Sequence, residues 1–164
     1  MISSDLLELG VEHQCAGRYH QAENCYRRVL TMDPNRADAW HLLGMIADAA
    51  GKTDDAIKLI QHALSLAPDR AGFHNNLGTI HEQRNEFNLA VRCLREAIRL
   101  RPSHAIAHNN LGEVMKDLGR VKEALTCYRA ALQHDPNFAQ AASNLLMTLN
   151  YDPETTQQAI NGLA

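Results

Sequence analysis

Proline falls at Pro34, Pro68, Pro102 and Pro136, each 34 residues after the last. Glycine keeps the same step at Gly10, Gly44, Gly78 and Gly112, and alanine at Ala22, Ala56, Ala90 and Ala124. A period this short argues against a domain built on one non-repeating core. Each unit is too small to bury its apolar side alone and has to stack on its neighbours. Numbered from position 1, the units are residues 3–36, 37–70, 71–104 and 105–138, and an incomplete fifth occupies 139–150. Residues 151–164 form a C-terminal segment. Positions 4, 7, 8 and 11 make an apolar stripe at helical spacing, which predicts a first helix in each unit. The proline at position 32 ends a second helix and sets the chain on its way into the next unit. Position 15 reads Gly17, Gly51, Asn85 and Gly119, the residue types that tolerate the left-handed backbone of a helix end.

Trp40, Leu43, Gly44, Ala56, Ile60, Ala63 and Pro68 in the second unit resemble the tetratricopeptide repeat, a helix–turn–helix unit of 34 residues. The resemblance runs from residue 3 to about 150. It implies an all-α, right-handed α-α superhelix of about four and a half repeats. The small residues at positions 8, 20 and 27 are expected where the two helices of a unit approach closely. In the fifth unit Leu146 replaces the glycine. Residues 139–150 are therefore expected to form a last first-helix, with Asp152, Pro153 and Glu154 as the start of one more short helix. An apolar face left without a stacking partner at this C-terminal end offers a surface for self-association.

The string HNNLG occurs at residues 74–78 and again at 108–112. Asparagine pairs are poor helix formers, because their amides compete for nearby backbone groups. At 100° per residue, position 6 lies opposite the apolar stripe, flanked by 5, 9 and 13. Position 6 reads Asn76, Asn110 and Asn144 in the last three units, after Glu8 and Leu42. Position 5 reads His41, Asn75, Asn109 and Ser143, position 9 includes Thr79 and Glu113, and position 13 includes Asp117. By the resemblance, this face lines the inner groove. A carboxamide offers a donor and an acceptor, as a peptide bond does, so the row is expected to hold an extended peptide without reading its side chains. On this reading, alanine at 76, 110 and 144 weakens capture and leaves helicity and melting temperature nearly unchanged.

The stretch at residues 143–153, SNLLMTLNYDP, is similar to the segment that joins the repeats to the catalytic region in O-linked N-acetylglucosamine transferases and their SPINDLY-type relatives. That resemblance implies that Asn76, Asn110 and Asn144 hold a protein substrate. It also implies that the chain is the repeat portion of a larger glycosyltransferase, or a free-standing relative that kept only the repeats. The chain itself is expected to hold no transferase active site, since it reaches Ala164 before any catalytic region begins. The competing reading is a stand-alone scaffold or adaptor.

Other chemistries have little support. A net charge of −3 gives no electrostatic footprint for nucleic acid or an anionic membrane. No apolar run approaches the ~20 residues of a spanning helix. No secretory signal is legible, and the four cysteines lack CxxC spacing, so a cytoplasmic setting with free thiols is expected. Cys25, Cys93 and Cys127 share position 23, a small half-buried slot. His104 and His108 are spaced i, i+4, but no third ligand completes a zinc site. Histidine at position 4 therefore reads as packing, and no metal or cofactor is expected. Arg27, Arg28, Arg92, Arg95 and Arg99 alternate with Glu23 and Glu96 as a solvated outer face. Asp38, Asp48, Glu82, Glu113 and Asp117, set against Lys116, make a clamp for an acidic C-terminus a poor fit. No phosphate loop, nucleophile elbow or HExxH motif is present.

Overall fold

The structure, a computed structural model, describes residues 3–150. Among these residues there are nine α-helices and no strand. The first helices are α1 (Ser3–Cys15), α3 (Ala37–Ala49), α5 (Ala71–Gln83), α7 (Ala105–Asp117) and α9 (Ala139–Asn150). The second helices are α2 (Tyr19–Met32), α4 (Thr53–Leu66), α6 (Phe87–Leu100) and α8 (Val121–His134). The chain divides into two compact units, Met1–Phe73 and His74–Ala164, and α5 contributes residues to both.

Four first-helices end in the same way. Gly17, Gly51, Asn85 and Gly119 have φ of 71°, 74°, 59° and 72°. The amide of each donates back to the carbonyl three residues earlier, as from Gly17 to Gln14 at 3.0 Å. The next amide reaches five residues back, as from Arg18 to His13 at 2.8 Å. Two orphan carbonyls are thereby satisfied at each end, and the reversed chain leads directly into the second helix.

In the N-terminal unit α1 packs on α2, α2 on α3 and α3 on α4. Its core joins Leu6, Val29 and Ala39 with a layer of Ala22, Tyr26, Leu43 and Ile46. In the C-terminal unit α7 packs on α6 and α8, and α8 on α9. Leu94, Leu111, Val114, Met115 and Tyr128 fill that core, and Leu145 of α9 packs against it. The next two residues of α9, Leu146 and Met147, are 63% and 61% exposed. The expected last helix over 139–150 is thus present, with one apolar side uncovered. The expected helix start at Asp152, Pro153 and Glu154 lies outside the described residues.

The periodic glycines sit against the residue at position 24 of their own unit. A Cβ on Gly112 would lie 2.5 Å from Tyr128 Cε1, one on Gly44 2.7 Å from Ile60 Cγ1, and one on Gly78 2.8 Å from Leu94 Cγ. On Gly10 it would collide with the ring of Tyr26. Gly72, near the start of α5, has nothing within 4 Å of such a Cβ. Gly112→Ala is therefore expected to lower stability by about 1–3 kcal/mol through overpacking, offset in part by its gain in helix propensity. Gly72→Ala is expected to raise stability by roughly 0.5–1 kcal/mol. Urea unfolding of the two variants beside the parent measures both signs.

Candidate binding face of the first helices

In the C-terminal unit the repeated asparagines bond to one another. Asn110 Nδ2 donates to Asn75 Oδ1 at 3.1 Å and to Thr79 Oγ1 at 3.3 Å. Asn144 Nδ2 donates to Asn109 Oδ1 at 3.0 Å and to Glu113 Oε1 at 3.1 Å. The rule is the same in both cases. A position-6 amide reaches back to the position-5 carbonyl of the preceding first helix and to the position-9 side chain one turn on. Asn109 in turn donates to Glu113 Oε2 at 3.2 Å, and Asn75 donates to Asn76 Oδ1 at 3.1 Å. Gln140 adds a further donor to Glu113 Oε1 at 3.3 Å.

Asn75 and Asn109 are 6% and 0% exposed, so position 5 is interior in α5 and α7, and there its side chains join helix to helix. Thr79, Asn110, Glu113 and Asn144 are half-buried, and Asp117 is exposed. The expectation that alanine at position 6 leaves stability unchanged is corrected by these bonds. Each carries a net ~0.5–1.5 kcal/mol, and a buried partner left unsatisfied adds to the loss.

Carboxylates gather at the C-terminal end of this face. Burial, then repulsion from Glu113 and Asp117, pushes the Glu82 carboxyl up to about 7, with Lys116 opposing. Lys116 lies 3.8 Å from Asp117.

In the N-terminal unit the corresponding face has a different chemistry. Val11, Leu42 and Met45 stand at positions 6 and 9 and, with Tyr19, line a cavity of about 410 Å³. Val11 and Tyr19 are 40% and 49% exposed. Val11, Leu42 and Met45 were legible in the sequence only as apolar letters at positions where the third and fourth units carry Asn76, Thr79, Asn110 and Glu113. His41 is held neutral. Burial lowers its pKa to about 4, outweighing the pull of Asp38, while Arg70 lowers it further. Its ring stacks on Phe73, with centroids 4.1 Å apart. Arg70 lies over the other ring at 5.2 Å and pairs with Asp38. A second cavity, of about 480 Å³, opens between α2 and α4 over α3, floored by Leu30, Trp40, Leu43 and Ile46.

The histidines have structural partners. His108 Nε2 donates to the carbonyl of Pro102 at 2.9 Å, as Trp40 Nε1 donates to that of Pro34 at 2.8 Å. In the second and fourth units position 4 is thus a ring N–H holding the proline turn. His81, 5% exposed, lies 2.6 Å from Glu86. That hydrogen bond, then Arg84, holds the Glu86 carboxyl below its ordinary value. Among the described residues no three His, Cys, Asp or Glu converge as a metal site. Cys25 is buried, and Cys93 and Cys127 are half-buried free thiols, the latter two pushed up by burial. Arg27 pairs with Glu23 and Arg99 with Glu96 on exposed surfaces.

Helix–turn–helix units with a left-handed turn, a glycine contact and a proline stop define an all-α repeat module with no strand among its described residues. The tetratricopeptide repeat model matches residues 7–71 and 75–142, well over half the chain, and the chain belongs to that family. Its fold is similar to that of a Pseudomonas aeruginosa pilF structure, with a TM-score of 0.88 and 23% identity over 95% of this chain and 72% of that one. It is also similar to a crystal structure of MamA, with a TM-score of 0.74 and 26% identity over 86% of this chain and 82% of that one. A third likeness is to an APC/C hetero-tetramer of Cut9 and Hcn1, with a TM-score of 0.83 and 21% identity over 91% of this chain and 30% of that one. No curated protein sequence matches the chain significantly. The module is one that binds proteins, and no helix among the described residues is long and apolar enough to cross a membrane.

Asn109→Ala removes two donors and an acceptor from the buried row and is expected to lower stability by about 1–3 kcal/mol. Ser143→Ala, at the exposed equivalent on α9, is expected to stay within about 0.5 kcal/mol. Chemical denaturation compares them. The Glu82 carboxyl titrates at about 7 in the fold against an ordinary value of 4.5. Between those values the folded state keeps a proton that the unfolded chain has released, so stability falls as pH rises through the window. Glu82→Gln is therefore expected to raise the melting temperature over the parent at about pH 8. That gain should shrink to nothing below about pH 4.5, as followed by circular dichroism.

Proposed function

We propose that the chain recruits proteins by holding an extended segment in the groove lined by the asparagine-bearing face of its first helices, and that it serves as the substrate-recruiting region of a protein O-glycosyltransferase. The in-phase row of Thr79, Asn110, Glu113 and Asn144 carries the reading. These side chains are anchored through Asn75 and Asn109, so they are presented at fixed spacing and lose little entropy on binding. Asn75, Asn76, Asn109, His41 and Asp117 complete the set, the buried ones as supports. Membership of a protein-binding repeat family supports recruitment in general. The likeness of residues 143–153 to the segment before a transferase region supports the enzyme-linked form.

A peptide array of extended serine- and threonine-containing segments tests the face. The variant with alanine at Asn76, Asn110 and Asn144 is expected to lose roughly tenfold in capture, the effect of one to three hydrogen bonds, at a temperature where both proteins are folded. Unchanged capture removes the row from function. The reading frame after codon 164 tests the enzyme link. Two Rossmann-like lobes are expected there, and a stop codon leaves a scaffold instead. The scaffold reading has its own support in the uncovered side of α9 at Leu146 and Met147, a surface suited to self-association.

A further inference from the structure

We propose that the cavity between α1 and α3 is an anchor site for an apolar side chain flanked by lysine or arginine in a partner's extended segment. The proposal rests on the protein-binding reading of the first-helix face and names what its N-terminal part takes. Val11, Tyr19, Leu42 and Met45 give the cavity apolar walls around about 410 Å³, room for one large side chain and its neighbours. Met45 brings an unbranched thioether that adapts to different shapes. Two of the walls are large apolar residues standing 40% and 49% in solvent, Val11 of α1 and Tyr19 at the start of α2, and the third and fourth units carry Thr79 and Glu113 at the register of Val11.

The charge at the rim selects the flank. Asp48 is the charged residue lining the cavity, and no side chain among the described residues pairs with its carboxylate. It lies in the last turn of α3, which ends at Ala49. A carboxylate there faces the negative end of the helix dipole and destabilises the helix. Local structure gives no reason for it, and a cation brought by a ligand does. Glu8, one turn before Val11 on α1, puts a second carboxylate on the same face. The Tyr19 ring at the lip is a surface on which a guanidinium or ammonium group can stack. An apolar anion would meet Asp48 and Glu8 with like charge, so the flanking charge decides which apolar segments enter.

The probe is the acetylated peptide amide Ser-Gly-Lys-Leu-Lys-Gly-Ser, titrated to millimolar concentration against protein labelled in its methionine and leucine methyl groups. Saturable shifts of Met45 and Leu42 are expected, with at least fivefold weaker binding when the lysines become glutamates or the leucine becomes serine. Asp48→Lys is expected to reverse the lysine-over-glutamate order while raising the melting temperature, and Asp48→Asn to flatten the order. Arg129→Ala, on the exposed side of α8, is expected to leave this binding unchanged. Equal shifts with both charge forms, or an order untouched by Asp48→Lys, overturn the proposal. Shifts confined to methyls of α7 and α9 also overturn it but leave the binding-face reading standing. No shift anywhere, with no capture on the array, removes both.

Discussion

The absence of a Cβ at position 8 is the constraint on which the rest depends. With Gly44 under Ile60, Gly78 under Leu94 and Gly10 and Gly112 under tyrosine rings, the first helix of each pair lies so close to the second that a Cβ would force the facing side chain to shift. That contact orients the stripe at positions 4, 7 and 11 into the core. It also turns positions 5, 6 and 9 toward the neighbouring first helix. The amide row, the ring N–H donors at the proline turns and the cavity between α1 and α3 all follow from where this contact sets the helix faces. The glycine is unfavourable for an isolated helix, and packing outweighs that local preference.

The fold was legible because its signals repeat. A single glycine or proline says little, but four of each in phase leave one architecture, and the left-handed turn is legible down to Asn85, the one non-glycine residue among the described positive-φ positions. The face was legible only in outline. Helical geometry places Asn110 and Asn144 opposite the stripe, and it places Asn75 and Asn109 beside them. It does not say that the helix one unit away is near enough to receive their amides. The clue was in the string itself, since two adjacent asparagines recurring together match a donor at one position with an acceptor 35 residues earlier.

The two units use equivalent positions for different chemistry. In the C-terminal unit amides, a hydroxyl and the Glu113 carboxylate form a connected polar row, and charge on that row helps push the nearby Glu82 carboxyl up to about 7. In the N-terminal unit the same register carries Leu42, Met45 and Val11 around an open cavity. A scaffold with one packing rule thus leaves its recognition positions free to vary, because those positions do not take part in the glycine contact.

Trp40 is the chain's single tryptophan, and its indole N–H is tied to the carbonyl of Pro34 with its ring edge-on to His62 at 4.6 Å. The position that holds the turn therefore doubles as a built-in fluorophore belonging to the N-terminal unit alone. Its emission registers the opening of that unit and is blind to the other, whereas far-ultraviolet circular dichroism sums both. Any difference between those two signals during unfolding is a direct reading of how far the two compact units melt as one.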